Sequence, residues 1–127
     1  MRSMLSLLGL LLISSTAFAQ FTIEQILSSP FPSHLIASQK GNEIAWVFND
    51  QGCRNIWLAD LTDNTTQQLT NFTEDDGQEL GSLVFDPTRN RIIFVRGGAP
   101  NRQGEIPNPT SDPDGAERLI MTVQMQE

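Results

Sequence analysis

Leu83-Val84-Phe85-Asp86-Pro87-Thr88-Arg89-Asn90-Arg91-Ile92-Ile93-Phe94-Val95 lies without a gap on Leu35-Ile36-Ala37-Ser38-Gln39-Lys40-Gly41-Asn42-Glu43-Ile44-Ala45-Trp46-Val47. Asn90 falls on Asn42, Ile92 on Ile44, Phe94 on Trp46 and Val95 on Val47, an offset of 48 residues. In both copies an apolar run reaches a polar turn and resumes as a β-branched and aromatic run, the pattern of two strands joined by a reversal. A unit recurring at roughly 40 to 50 residues matches the period of the four-stranded blades of a β-propeller.

Around the first copy the sequence predicts four strands: His34–Ala37, Glu43–Phe48, Asn55–Ala59 and Thr66–Thr70. The turns between them are Gln39–Asn42, Asn49–Gly52 and Asp60–Asn64, where Gly, Asn and Asp supply positive φ or cap their own backbone. Short reversals between successive strands make an antiparallel meander. After Val95 the chain turns dense in Gly, Pro and Asn from Arg96 to Gly115, a long loop, before Glu117–Met125 alternates like a third strand. Loops of this length in a compact domain carry function or disorder, so 97–115 is the expected functional surface.

Towards the N-terminus, Phe21–Leu27 has apolar residues at 23, 26 and 27, a helical spacing over two turns, and Ser28-Ser29-Pro30-Phe31-Pro32 ends it. Residues 1–19 differ in kind. Arg2 precedes the apolar run Leu5–Ile13, and Ala17-Phe18-Ala19 supplies an A-x-A cleavage site before Gln20. This is the order of a secretory signal peptide, and the apolar run is too short for a membrane span. The expected organisation is therefore all-β, a partial β-propeller after a signal peptide. It comprises signal peptide 1–19, helix and linker 20–33, a four-stranded first blade 34–72, and an incomplete second blade 73–127 with a long loop 96–116. The expected location is the periplasm or the exterior, with no stable membrane insertion after cleavage.

The chain carries a net charge of -7, and removal of Arg2 with the leader makes it one unit more negative. Such a surface repels phosphate backbones, so no nucleic-acid partner is expected. The single Cys53 excludes an internal disulfide. A nucleophilic cysteine needs a positioned histidine, and the only one, His34, lies in a separate segment, so Cys53 reads as a turn residue. Asp112-Pro113-Asp114-Gly115 with Glu117 has some oxygen ligands of a calcium loop but has Val123 at the twelfth position. It reads as a turn, and Glu74-Asp75-Asp76-Gly77 as a solvated loop, so neither metal nor cofactor is expected. Trp46 and Trp57 could stack a sugar or peptide, although their strand positions favour packing against neighbouring sheets. Asn64-Thr65-Thr66 and Asn71-Phe72-Thr73 match glycosylation acceptors, relevant only in a host that glycosylates exports.

Phe85-Asp86-Pro87 followed by Arg91-Ile92-Ile93-Phe94 resembles the blade signature of the exported prolyl oligopeptidase-like serine peptidases, and of the related propeller of the Tol-system periplasmic protein. Arg54-Asn55-Ile56-Trp57-Leu58-Ala59-Asp60-Leu61 with Gln68-Leu69-Thr70 resembles another stretch of the same blades. The first copy departs from the signature, with Ser38-Gln39 in place of Asp86-Pro87. The resemblance covers roughly residues 21–126 and implies a propeller preceding an α/β-hydrolase domain. No G-x-S-x-G elbow occurs in this sequence, so no catalytic residue is carried over and the chain is not expected to be an enzyme as it stands. The resemblance implies gating or binding of peptide substrates, or, on the Tol-like alternative, binding of another envelope protein.

Overall fold

The computed structural model describes residues 21–39 and 41–125. The signal-peptide and cleavage-site expectations fall on residues outside these. A short helix, α1 (Ile23–Leu27), is followed by seven strands: β1 (Phe31–Ala37), β2 (Glu43–Asp50), β3 (Cys53–Asp60), β4 (Thr65–Gln68), β5 (Leu80–Phe85), β6 (Arg91–Arg96) and β7 (Leu119–Gln124). They form two antiparallel sheets, one ordered β1-β2-β3-β4 and the other β5-β6-β7. The chain is thus mostly β, as expected, and the two sheets do not close on one another.

The 48-residue repeat is visible in the backbone. In β1 the register slips between Ser33 and Ile36, and in β5 between Gly81 and Val84, each position 48 residues after its counterpart. Within each bulge one non-glycine residue takes positive φ, His34 at 54° and Ser82 at 51°. The N–H of Ser38 donates to the Glu43 carbonyl at 2.8 Å, and that of Asp86 to the Arg91 carbonyl at 3.0 Å, again 48 apart. At the far side, Leu61 N–H donates to Asn42 O, and Met125 N–H to Asn90 O. A bulge inserts one unpaired residue and increases twist. Its recurrence at one site marks a single structural unit used twice.

Strand alternation gives each sheet two faces, and the core uses one from each. Ala45, Val47, Ile56 and Leu58 of the first sheet are buried against Leu80, Leu83, Ile92 and Phe94 of the second. Val47, Ile56, Ile92 and Phe94 are the largest fully buried side chains, each worth about 1.5–3 kcal/mol of burial. The two faces are not equivalent in the repeat. Val47 is buried where its counterpart Val95 is only half-buried, and Phe94 is buried where its counterpart Trp46 is half-buried. The sheets therefore stack with opposite faces inward. The expectation that Trp46 and Trp57 pack against a neighbouring sheet needs correction: they pair across β2 and β3 on the face of the first sheet turned away from the second.

The first strand begins at Phe31, not His34, so the linker is shorter than the 20–33 read from sequence. Pro32 fits there because β1 is an edge strand and its missing N–H leaves no broken ladder. The fourth strand ends at Gln68, short of the expected Thr70, because a side chain takes over the ladder. Ile56 N–H donates to Thr70 Oγ1 at 2.9 Å while Leu69 N–H still donates to Ile56 O at 2.8 Å.

Asn55, only 8% exposed, ties this end of the sheet to the following linker. Its Oδ1 accepts from Phe72 N–H at 2.8 Å and from the Thr70 hydroxyl at 3.0 Å, and its Nδ2 donates to Phe72 O at 2.9 Å. This is the physical content of the paired Asn55-Ile56-Trp57 and Gln68-Leu69-Thr70 stretches. Asn55→Ala leaves both backbone groups of Phe72 without their partner, and the cost of about 1–3 kcal/mol should appear as a lowered urea midpoint with an unchanged slope.

Candidate functional site

The two sheets leave a cleft of about 750 Å³ at the rim where their equivalent turns lie side by side. Ser38, Gln39 and Glu43 line it from the β1–β2 turn, and Asp86, Pro87, Thr88, Arg89 and Asn90 from the β5–β6 turn. Asp60, Asp63 and Thr65 close it beyond the end of β3, with Leu58, Phe85 and Met125 as its apolar floor. The polar groups come from turns because a reversal requires Asp, Asn, Ser or Gly, and the floor comes from strand ends that belong to the core.

Asp86 fixes one wall. Its Oδ1 accepts from Thr88 N–H at 2.9 Å and from the Thr88 hydroxyl at 2.8 Å, and its Oδ2 accepts from Arg91 Nε at 2.8 Å. These donors, Thr88 N–H foremost, hold the carboxyl far below the usual carboxylate range. In the first copy Ser38 Oγ instead accepts from Glu43 N–H at 3.3 Å, while both copies keep the backbone bond from residue 38 or 86 to the carbonyl of 43 or 91. The apparent departure from the signature at Ser38 thus preserves the closure of the turn. Opposite, Asp60 accepts from Thr62 N–H at 2.7 Å, which lowers its pKa as well.

Among the described residues, Glu43, Asp60, Asp63 and Asp86 line the cleft with one cation, Arg89, and Asp86 is already paired to Arg91. The cleft is therefore, among the described residues, an open acidic groove with a fixed rim. Among the described residues, no group of three His, Cys, Asp or Glu side chains is placed to hold a metal.

The residues singled out from sequence lie elsewhere. Cys53 opens β3 beside the Gln51-Gly52 hairpin, a two-residue turn in which both residues take positive φ, as a type I′ reversal requires. His34 bonds Ser33 Oγ through Nδ1 at 3.0 Å and stands against Gly81 of the second sheet. The structure does not bring His34 and Cys53 together. Asp112 Oδ1 accepts from Asp114 N–H at 2.9 Å within its own turn.

The acidic run at 74–77 is more than a solvated loop. Asp76 pairs with Arg96, which also reaches Glu117 at 2.8 Å and lies over the Phe72 ring at 5.2 Å. Arg96 thereby clamps the linker to both ends of the long loop. That loop is itself ordered by local turns. Asn101 Oδ1 accepts from Gln103 and Glu105 N–H, and Asn108 Oδ1 accepts from Asp112 N–H. Gly97 starts it at φ 110°, where an added Cβ would collide with Glu117 O. The loop joins β6 to β7 at the end of the sheet opposite the 86–91 turn, so the expected functional surface and the cleft stand at opposite ends. Sequence reading missed the cleft, although the coincidence of the Ser38–Glu43 and Asp86–Arg91 turns in the repeat was the signal for it.

Comparison with protein-family models, with curated proteins and with solved structures gives no match to this chain.

A lowered aspartate pKa contributes stability above the unfolded value of about 4 and loses it as pH falls towards the folded value. The stability advantage of the native chain over Asp86→Asn should therefore be full near about pH 7 and shrink steadily below about pH 4. Urea unfolding of both proteins across that range measures it; a difference independent of pH would remove Asp86 ionisation from the account.

Proposed function

We propose that this chain is a non-catalytic binding module, one four-stranded blade and an incomplete second blade of an exported β-propeller of the prolyl oligopeptidase-like kind, which receives peptides without cleaving them. The observation carrying this reading is the acidic cleft formed where the same turn recurs in two stacked sheets. Ser38 and Asp86 each close their turn and hold the rim, while Glu43, Asp60 and Asp63 present carboxylates across an open groove. Such a groove suits an extended peptide with an ammonium or guanidinium group. The resemblance at Phe85-Asp86-Pro87 and Asn55-Ile56-Trp57 supports the same class, and the leader read at 1–19 supports export.

A second reading, docking to another envelope protein, has its own support. Phe21, Ile23, Ile26 and Leu27 around α1 are 63–76% exposed, and α1 packs on no strand. Apolar side chains left in water at this density suit a protein partner.

Titration of the exported full chain with a short lysine-containing peptide, followed by amide shifts in NMR, tests the first reading. Shifts should concentrate at 43, 60 and 89. Asp60→Asn with Asp63→Asn should weaken binding about two- to fivefold per lost ion pair, more at low salt. Absence of binding, or binding with shifts confined to residues 21–31, would transfer the weight to the docking reading.

A further inference from the structure

Inside the molecule, one face of the first sheet is stacked on the opposite face of the second. The 48-residue repeat then dictates what the two outer faces are. On the first sheet, Ile44 occupies the place of buried Ile92, Trp46 that of buried Phe94, and Leu35 that of Leu83. Leu35 is 68% exposed whereas Leu83 is 6% exposed. On the second sheet, Val95 occupies the place of buried Val47. Ile120 takes that of buried Ile56, since Ile120 pairs with Val95 as Ile56 does with Val47. Ile120 is 79% exposed and Ile56 is fully buried. Each outer face thus repeats much of an apolar face already buried in the same molecule, with exposed Thr122 in the place of buried Leu58 on the second sheet.

The two outer faces lie on opposite sides of the stack and cannot meet within one chain. We propose that this protein associates with a second copy of itself head to tail. The outer face of the first sheet in one copy seats on the outer face of the second sheet in the other, repeating the internal sheet–sheet interface. These faces repeat an interface the molecule already uses, and Leu35 on the first and Val84 and Ile120 on the second are exposed. Trp46 and Trp57, with Phe48 edge-on to both at 5.5 and 5.8 Å, form the aromatic half of the contact. Trp46 Nε1, buried without a hydrogen-bond partner, lies in this half. Such an interface is heterologous, so it propagates to larger assemblies or closes as a ring, and is not limited to a symmetric dimer. The inference is independent of the peptide-binding reading, because the cleft is at the rim and the interface is on the faces.

Light scattering on the exported full chain at increasing concentration should give masses rising beyond a dimer. Leu35→Lys disables one face and Ile120→Lys the other, each at a side chain exposed enough to leave the fold intact, as circular dichroism would verify. Each variant alone should associate at least about tenfold more weakly, the effect of a lysine placed in an apolar contact. A one-to-one mixture should form a dimer and nothing larger, since each variant keeps the face the other lacks. Val84→Lys, on the same face as Ile120, should reproduce the Ile120→Lys result. A folded native chain that stays monomeric, a single variant that dimerises with itself, or growth that all the variants leave unchanged would each overturn the proposal.

Discussion

Because side chains alternate along a strand, a sheet offers two faces, and stacking one sheet on another buries one face of each. Everything else in this molecule follows from the choice of faces. Val47 and Ile56 of the first sheet go inward with Ile92 and Phe94 of the second, although Phe94 is the repeat counterpart of Trp46 and not of Val47. Two units with the same backbone thereby become unequal in environment. The sequence differences between them track that inequality: the buried position on β6 holds Phe94, whereas the corresponding outer position on β2 holds a tryptophan with its neighbours Phe48 and Trp57.

Polar groups fix the ends of the sheets where the apolar stack does not reach. Asn55 replaces ladder bonds that the backbone of the 69–72 segment cannot make for itself, and Asp86 closes its turn through three donors. Arg96 has a different reach. It holds Asp76, Glu117 and the Phe72 ring together, so the crossing from the first sheet to the second and the return from the long loop depend on one guanidinium. A planar fork with several donors is suited to such a junction, where a lysine would offer a single point charge.

The cleft arises from the same constraint. Stacking brings the equivalent turns of successive units to one rim, and turns are where Asp, Ser and Asn concentrate. The acidic groove is therefore a product of repetition, whereas the long loop is an insertion into the β6–β7 reversal that β2 and β3 make with Gln51-Gly52 alone. Its place at the opposite end separates the two surfaces.

The strands, their antiparallel order and the repeat were legible in the sequence, because alternation, turn residues and the match of Leu83–Val95 to Leu35–Val47 are local properties of the chain. The bulges at His34 and Ser82 were not, since a register slip is fixed by the pairing of two strands and not by the residue that absorbs it. Nor was the start of β1 at Phe31, because Pro32 counts against a strand until the strand is known to lie at an edge. Asp76 looked solvated because its partner, Arg96, is twenty residues away and meets it only when β5 pairs with β6. By itself the sequence determined which residues form strands and turns, and that one unit occurs twice. Only the tertiary structure decided which face of each unit is buried and which turns share a rim, because alternation marks two faces on every strand and stacking alone breaks the tie.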